Sequence, residues 1–177
     1  EACAEKLIAA MAQAPVAVKC RFLEILSNVG GVKALATMSA AVKGDNPELR
    51  EAASRLLGNW MAVDAAPVLL DLAKNSADEK YKVRALRGYI RLVRQFDMPD
   101  ADRVAMCRAA LEAAQRTAEK KLVLEVMGRY PSGGMLSVAL AATKIKELKN
   151  EAIAVAMLIA QKSRARSAAL QKLLAQS

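Results

Sequence analysis

The feature that most constrains the fold is an amphipathic segment that recurs five times along the chain. The copies begin at Lys19, Arg50, Arg84, Lys120 and Asn150, so successive starts are 31, 34, 36 and 30 residues apart (19→50→84→120→150). A period of about 20–50 residues indicates a repeat architecture, in which each short unit buries its apolar face against its neighbours. We therefore expect a row of stacked units instead of helices around one shared core.

Apolar residues within the copies keep the spacing of an α-helix. From Leu49 to Trp60 they follow the pattern i, i+3, i+4, i+7, i+8 and i+11, which places Trp60 in the core. The chain has 54% hydrophobic residues but only 3% aromatic ones, with 8 glycines and 5 prolines, which favours an aliphatic, all-α core. Every proline falls at a predicted helix start: Pro15, Pro47, Pro67, Pro99 and Pro131.

Capping residues mark several helix starts. Asn46 before Pro47 is typical of a cap followed by proline in the first turn, and Ser76 with Glu79 has the spacing of a capping box. These signals predict eleven helices, at residues 2–13, 16–29, 32–43, 47–60, 66–75, 78–96, 100–115, 118–130, 134–144, 147–162 and 165–175. The run from Ala152 to Ala160 is apolar nearly all round, so we expect cover from both sides, including the last short helix.

The predicted helices pair into hairpins within one domain, residues 1–177. The expected hairpins are about 1–29, 30–60, 64–96, 98–130 and 133–162, followed by a terminal helix at 163–177. The first residue is Glu1 instead of methionine, which indicates a processed chain or a module of a larger protein.

The copies resemble HEAT repeats, in which an apolar first helix and a turn lead to an Asp, then an Arg five or six residues later, and a second helix. Asp45 with Arg50 and Asp78 with Arg84 match this Asp–Arg signature. The third and fourth joints depart from it, with Thr117 before Lys120 and Lys149 before Asn150. The resemblance covers about residues 16–162.

The HEAT resemblance implies a right-handed α-α superhelix with the second helices on its concave side. It also implies that four residues form a structural ladder between adjacent repeats: Asp45, Arg50, Asp78 and Arg84. The chain is most similar to bacterial HEAT-like arrays that occur as modules of larger, often exported proteins. This resemblance is the sole basis for expecting an exported or periplasmic location.

The predicted helix 78–96 carries a basic stripe. The chain has 27 Lys and Arg against 18 Asp and Glu, a net charge of +9. The stripe is spaced 4, 3, 4 and 3 (80→84→87→91→94), which keeps it within about 80° of the helix surface. Such a row could receive phosphates or an acidic protein surface. Besides Arg84, its members are the candidate binding residues: Lys80, Arg87, Arg91 and Arg94. The alternative interpretation is a solvated face, with Glu79 nearby.

Other classes of site find no support in the sequence. The chain has no histidine, which excludes histidine-based triads, HExxH zinc sites and histidine-ligated haem. We predict no catalytic residues, no metal and no cofactor. The longest uncharged run, residues 130–143, is broken by proline and glycine and is shorter than the roughly 20 residues that cross a bilayer. The three cysteines are expected to be small buried residues without a disulfide framework.

These observations predict a non-catalytic scaffold that binds a protein, or a fused domain of the same polypeptide, on its concave surface. The alternative is nucleic-acid or polyanion binding through the stripe on helix 78–96. Nucleic-acid binding would favour aromatic residues for base stacking, yet Tyr81 and Tyr89 are predicted to point away from the stripe. Helix 47–60 also carries Glu48 and Glu51 beside its arginines, so the stripe does not clearly propagate. A third function, an enzyme-associated lyase or chaperone subunit, is implied by the family resemblance alone.

Overall fold

The computed structural model describes the backbone of residues 2–174 and the side chains of residues 2–164. All regular structure in residues 2–174 is helical, without a strand. The α-helices are numbered in chain order: α1 Ala2–Ala12, α2 Val16–Val29, α3 Gly31–Lys43, α4 Pro47–Gly58, α5 Ala66–Asn75, α6 Glu79–Gln95, α7 Asp100–Ala113, α8 Thr117–Arg129, α9 Gly133–Ala142 and α10 Lys149–Leu174. Short 3-10 turns at Val63–Ala65 and Lys146–Leu148 precede α5 and α10.

The predicted all-α fold is confirmed, and the first nine helices lie within two residues of their predicted bounds. Proline placement explains much of this agreement, because proline lacks the N–H that a helix interior needs. Pro47 is the first residue of α4, while Pro15 and Pro99 occupy the capping positions of α2 and α7.

The chain divides into two compact units, one up to Leu92 and one from Val93, with the division falling inside α6. In the first unit α2 packs against α4, and α1 packs against α3. In the second unit α8 packs against α10, and α7 packs against α9. Within each unit, second helices therefore contact second helices and first helices contact first helices, as stacked hairpins require. The single-domain organisation of residues 1–177 stays a prediction.

Each unit has an aliphatic core. Fully buried side chains include Leu23, Leu26, Met38, Leu57 and Leu69 in the first unit, and Leu124, Met127, Met135, Leu148 and Ile159 in the second. Trp60 is buried as predicted, and its indole N–H donates to Asp64 Oδ1 at 2.9 Å. Burial of cysteine is confirmed for Cys107, whereas Cys20 is half-buried and the prediction is wrong for Cys3, which is exposed.

The helix break predicted at residues 163–164 is wrong, because α10 continues from Lys149 to Leu174. Residues 149–174 contain neither glycine nor proline, and most are strong helix formers, so nothing ends the helix. No separate helix therefore returns to cover α10 within the described chain, and Ile153, Met157 and Leu158 are exposed, Met157 by 60%. The predicted bounds at Glu1 and at residues 175–177 lie outside the described residues.

No helix within residues 2–174 combines the length and the apolar character needed to cross a membrane.

Candidate binding site

Asn46 and Asp78 set the starts of α4 and α6, the two helices that form the site. The backbone N–H of Leu49 donates to Asn46 Oδ1 at 3.0 Å, which confirms the predicted cap of α4. The backbone N–H of Lys80 donates to Asp78 Oδ1 at 2.8 Å. The capping box predicted for Ser76 is wrong: Ser76 lies at the end of α5, and the charged Asp78 carboxylate is the acceptor placed at the positive end of α6.

The two helices come closest at Gly58 and Gly88. A Cβ atom added to Gly88 would lie 2.9 Å from the carbonyl oxygen of Gly58 and 3.0 Å from its Cα. A Cβ atom added to Gly58 would lie 3.0 Å from Cγ of Arg84. The absence of side chains lets the backbones approach, and this approach fixes the spacing of the longer side chains on either side.

A cavity of about 400 Å³ lies beside this crossing, and we name it the α4/α6 groove. Its lining combines five cations, one amide and a small apolar floor: Arg55, Gly58, Asn59, Lys80, Val83, Arg84, Arg87, Gly88 and Arg91. Three of the four predicted binding residues are thus brought together in one groove. The fourth, Arg94, is exposed and belongs to the unit that begins at Val93, where Tyr130 Oη donates to its backbone carbonyl at 2.6 Å.

Glu51 of α4 holds two cations of α6 at one end of the groove. Lys80 Nζ donates to Glu51 Oε2 at 2.8 Å, and Arg84 Nη2 donates to Glu51 Oε1 at 3.0 Å. The hydrogen bond from Lys80, followed by that from Arg84, lowers the pKa of Glu51 from 4.5 to about 2. A carboxylate at this position is therefore stabilised in its charged form by the groove cations.

Arg91 caps the C-terminal end of α4. Its Nη2 donates to the carbonyl oxygens of Gly58 at 3.3 Å and Trp60 at 2.6 Å, and its Nη1 lies 3.4 Å from Met61 Sδ. The last carbonyls of a helix lack intrahelical partners and carry partial negative charge, so a cation there satisfies both demands. Arg91 therefore lines the groove while contributing to the packing of neighbouring repeats.

The residues predicted to form the structural ladder have different environments. Arg84 Nη1 donates to the buried Ser54 Oγ at 3.1 Å, so this arginine reaches from α6 to the preceding second helix. The guanidinium groups of Arg50 and Arg84 lie 5.5 and 5.9 Å from the centre of the Tyr81 ring. Asp78 caps its own helix, and Asp45 is exposed in the turn before α4.

Sequence reasoning missed Arg55 and Asn59, which line the groove from α4. Nη2 of Arg55 lies 3.5 Å from Oε1 of Glu24 in α2, and 59% of the Arg55 side chain is exposed. Glu51, Arg55 and Asn59 are spaced four residues apart, so a helical projection of α4 would have placed them on one face with the acceptor of the stripe.

The second unit repeats the capping of second helices by cations, and the sequence analysis missed both examples. Lys162 Nζ of α10 donates to the carbonyl of Gly128 in α8 at 2.8 Å, a separation of 34 residues that compares with 33 for Arg91 and Gly58. Arg103 of α7 donates to the carbonyls of Val93 and Phe96, at the end of α6. The contact of Lys162 did have a sequence signal: a glycine near the end of one second helix is followed, one repeat later, by a basic residue.

In the Glu51→Gln variant, the free energy of unfolding is expected to depend less on pH in the acidic range than in wild type. Because the pKa of Glu51 is lowered in the folded state, its contribution is present above pH 4.5 and is lost as pH falls through about 2. With 42% of the side chain exposed, solvent screening limits this contribution to about 1 kcal/mol or less. In urea unfolding, the difference between wild type and variant should shrink between about pH 5 and about pH 2.

The variant Glu48→Gln corrects for the loss of one negative charge from the same helix. A difference between Glu51→Gln and wild type that stays constant across this pH range would contradict the ion-pair assignment.

The described residues include no group of three or more Cys, Asp or Glu side chains that could hold a metal ion. One buried carboxylate, Glu119 in α8, lies with Oε2 3.6 Å from Nε of Arg116. In the α4/α6 groove, by contrast, five of the nine lining residues are cations, so the groove has the chemistry to receive negatively charged groups.

Residues 4–89 match the family model for HEAT repeats, a range that includes all of α4 and most of α6. No curated protein matches the chain, and no solved structure matches it. The matched range holds every residue of the α4/α6 groove except Arg91, and it ends close to the end of the first compact unit. Over residues 4–89, the chain is therefore similar to HEAT-repeat proteins.

Proposed function

We propose that this chain is a non-catalytic protein-interaction module that uses the second helices of its repeats as a docking surface. The observation that carries this proposal is the α4/α6 groove, an open, cation-lined depression between two adjacent second helices. HEAT-type arrays bind partners on the surface that successive repeats build together. The partner is another protein or another domain of the same polypeptide.

Aromatic burial favours a protein over a nucleic acid as the partner of this surface. Proteins that bind single-stranded nucleic acid present exposed aromatic rings on which bases stack. Tyr81 and Tyr89 of α6 are only 7% and 4% exposed, and Trp60 at the end of α4 is 3% exposed. The rings nearest the groove therefore serve the core.

Site-specific photo-crosslinking tests the proposal. A photoreactive amino acid in place of Asn59, which is exposed at the groove, is expected to yield discrete protein adducts in an extract of cells that make this chain natively. The same amino acid in place of Ala36, which is exposed on the first helix α3, is the matched control and should yield few adducts. Adducts that are equal at both positions, or that disappear on nuclease treatment, would count against the proposal.

A further inference from the structure

We infer that the α4/α6 groove recognises clustered carboxylate side chains of an acidic polypeptide segment. This inference rests on the proposed function and names the chemistry of the partner that the docking surface takes.

The groove lining carries a net positive charge, and Glu51 at one end of the groove pairs with two of its five cations. Among its nine lining residues are four arginines and one lysine, and none is Asp or Glu. Arg55 and Arg87 are both exposed, one on each of the two helices. Arginine presents a planar fork of donors that fits a carboxylate with two parallel hydrogen bonds, so the groove has donors suited to this group on both sides.

The protein supplies its own example of the ligand. Glu51 places a carboxylate against Lys80 and Arg84, with one oxygen for each cation at 2.8 and 3.0 Å. This contact shows that the spacing of the α6 cations accommodates a glutamate side chain. Arg87 and Arg91 continue the same row one and two turns along α6 and line the remainder of the groove.

The size of the groove restricts what can enter it. A volume of about 400 Å³ lies near the lower end of the roughly 300–1,000 Å³ that small-ligand pockets occupy. This volume accommodates one or two extended acidic side chains. The partner segment would therefore lie across the groove and insert carboxylates into it.

The neighbouring groove limits the cationic surface. Between α2 and α4 lies a second cavity, lined by Cys20, Pro47, Glu48, Glu51, Ala52 and Arg55. Two of its lining residues are carboxylates, which would repel a phosphate backbone that continued past α4. A nucleic acid needs a long cationic track, while a short acidic segment needs only the α4/α6 groove.

A binding titration with defined probes tests this inference. The probe is a dye-labelled oligoglutamate peptide, with oligolysine as charge control and a duplex DNA as the competing class, followed by fluorescence anisotropy at constant ionic strength. Oligoglutamate is expected to bind, and Arg87→Gln is expected to weaken its binding about tenfold, as the loss of one charge-assisted pair requires. Arg108→Gln removes the same charge from an exposed site on α7 and should change binding less than about twofold.

Two further variants, Arg55→Gln and Arg94→Gln, distinguish binding in the groove from a folding defect and from binding along the whole basic stripe. If Arg87→Gln does not fold, as judged by its thermal unfolding curve, Arg55→Gln tests the same groove from α4. Equal losses for Arg94→Gln and Arg87→Gln would favour the whole basic stripe and would overturn the groove. DNA binding that exceeds oligoglutamate binding and depends on Arg87 would overturn both the inference and the proposed function. Failure of oligoglutamate to bind, together with groove-specific protein crosslinks at position 59, would overturn the inference alone.

Discussion

Replacing Arg103 with alanine is expected to lower the free energy of unfolding by about 3 kcal/mol. The Arg103 side chain is 5% exposed, and its two terminal nitrogens donate to the carbonyls of Val93 and Phe96. Its guanidinium also lies 3.8 Å from the centre of the Tyr130 ring. Alanine would leave buried carbonyls without their donor and remove a desolvated cation–π contact, each of which costs about 1–3 kcal/mol.

The matched control for this prediction is Arg108→Ala. Arg108 lies on the same helix, α7, but is exposed, so its removal should change stability by less than about 0.5 kcal/mol. The measurement is urea unfolding followed by far-ultraviolet circular dichroism. Equal unfolding midpoints for the two variants would mean that Arg103 contributes nothing specific.

Replacing Gly88 with alanine is expected to destabilise the protein by about 2 kcal/mol, although alanine is the better helix former by about 1 kcal/mol. The added Cβ would lie 2.9 Å from the backbone oxygen of Gly58. That atom is backbone and cannot rotate away as the end of a side chain would, so the two helices must separate. Helix separation would also move Arg87, on α6, away from the residues of α4 that line the other side of the groove.

Gly133→Ala provides the same substitution in open space. No atom lies within 4 Å of a Cβ atom added there, at the first position of α9. This variant should be neutral or stabilising by about 0.5 kcal/mol, because alanine restricts the unfolded chain. The midpoint of thermal unfolding should therefore fall for Gly88→Ala. For Gly133→Ala it should rise or stay unchanged. A Gly88→Ala protein as stable as wild type would show that the crossing is not tight.

Much of the fold was predictable because the determining signals are local. Pro47 and Asn46 mark the start of α4 within two residues of sequence, and the spacing from Leu49 to Trp60 marks its buried face. The break predicted at residues 163–164 lacks such a local signal. Ser163 is one moderate helix former among strong ones, and such a residue does not end a helix.

The sequence predicted the part of the candidate site that lies on α6. It did not predict the contacts between α6 and α4. Helical spacing placed Lys80, Arg87 and Arg91 on one face of a single helix. Their partners on α4 depend on the rotation and register of one helix against another, which a single-helix projection does not contain. The sequence therefore indicates that Glu51 interrupts the stripe, whereas in the structure Glu51 is the acceptor for Lys80 and Arg84.

Buried charge was the least predictable feature. Arg103 is buried on α7. The apolar side chain of the adjacent Val104 makes Val104 the residue that one would expect to be buried there. Its partners are backbone carbonyls at the end of α6, which have no side-chain signature. The role of Arg103 at this helix end is therefore evident only from the tertiary structure.

The most direct test of the account is an amide chemical-shift map of the labelled protein during titration with oligoglutamate. Docking in the α4/α6 groove predicts the largest shifts at Gly58, Asn59 and Gly88, whose backbones line or border it. Gly133 and Gly134, at the start of α9, should remain unchanged. Shifts concentrated at α9, or spread evenly over exposed basic residues, would contradict the assignment of the groove as the binding site.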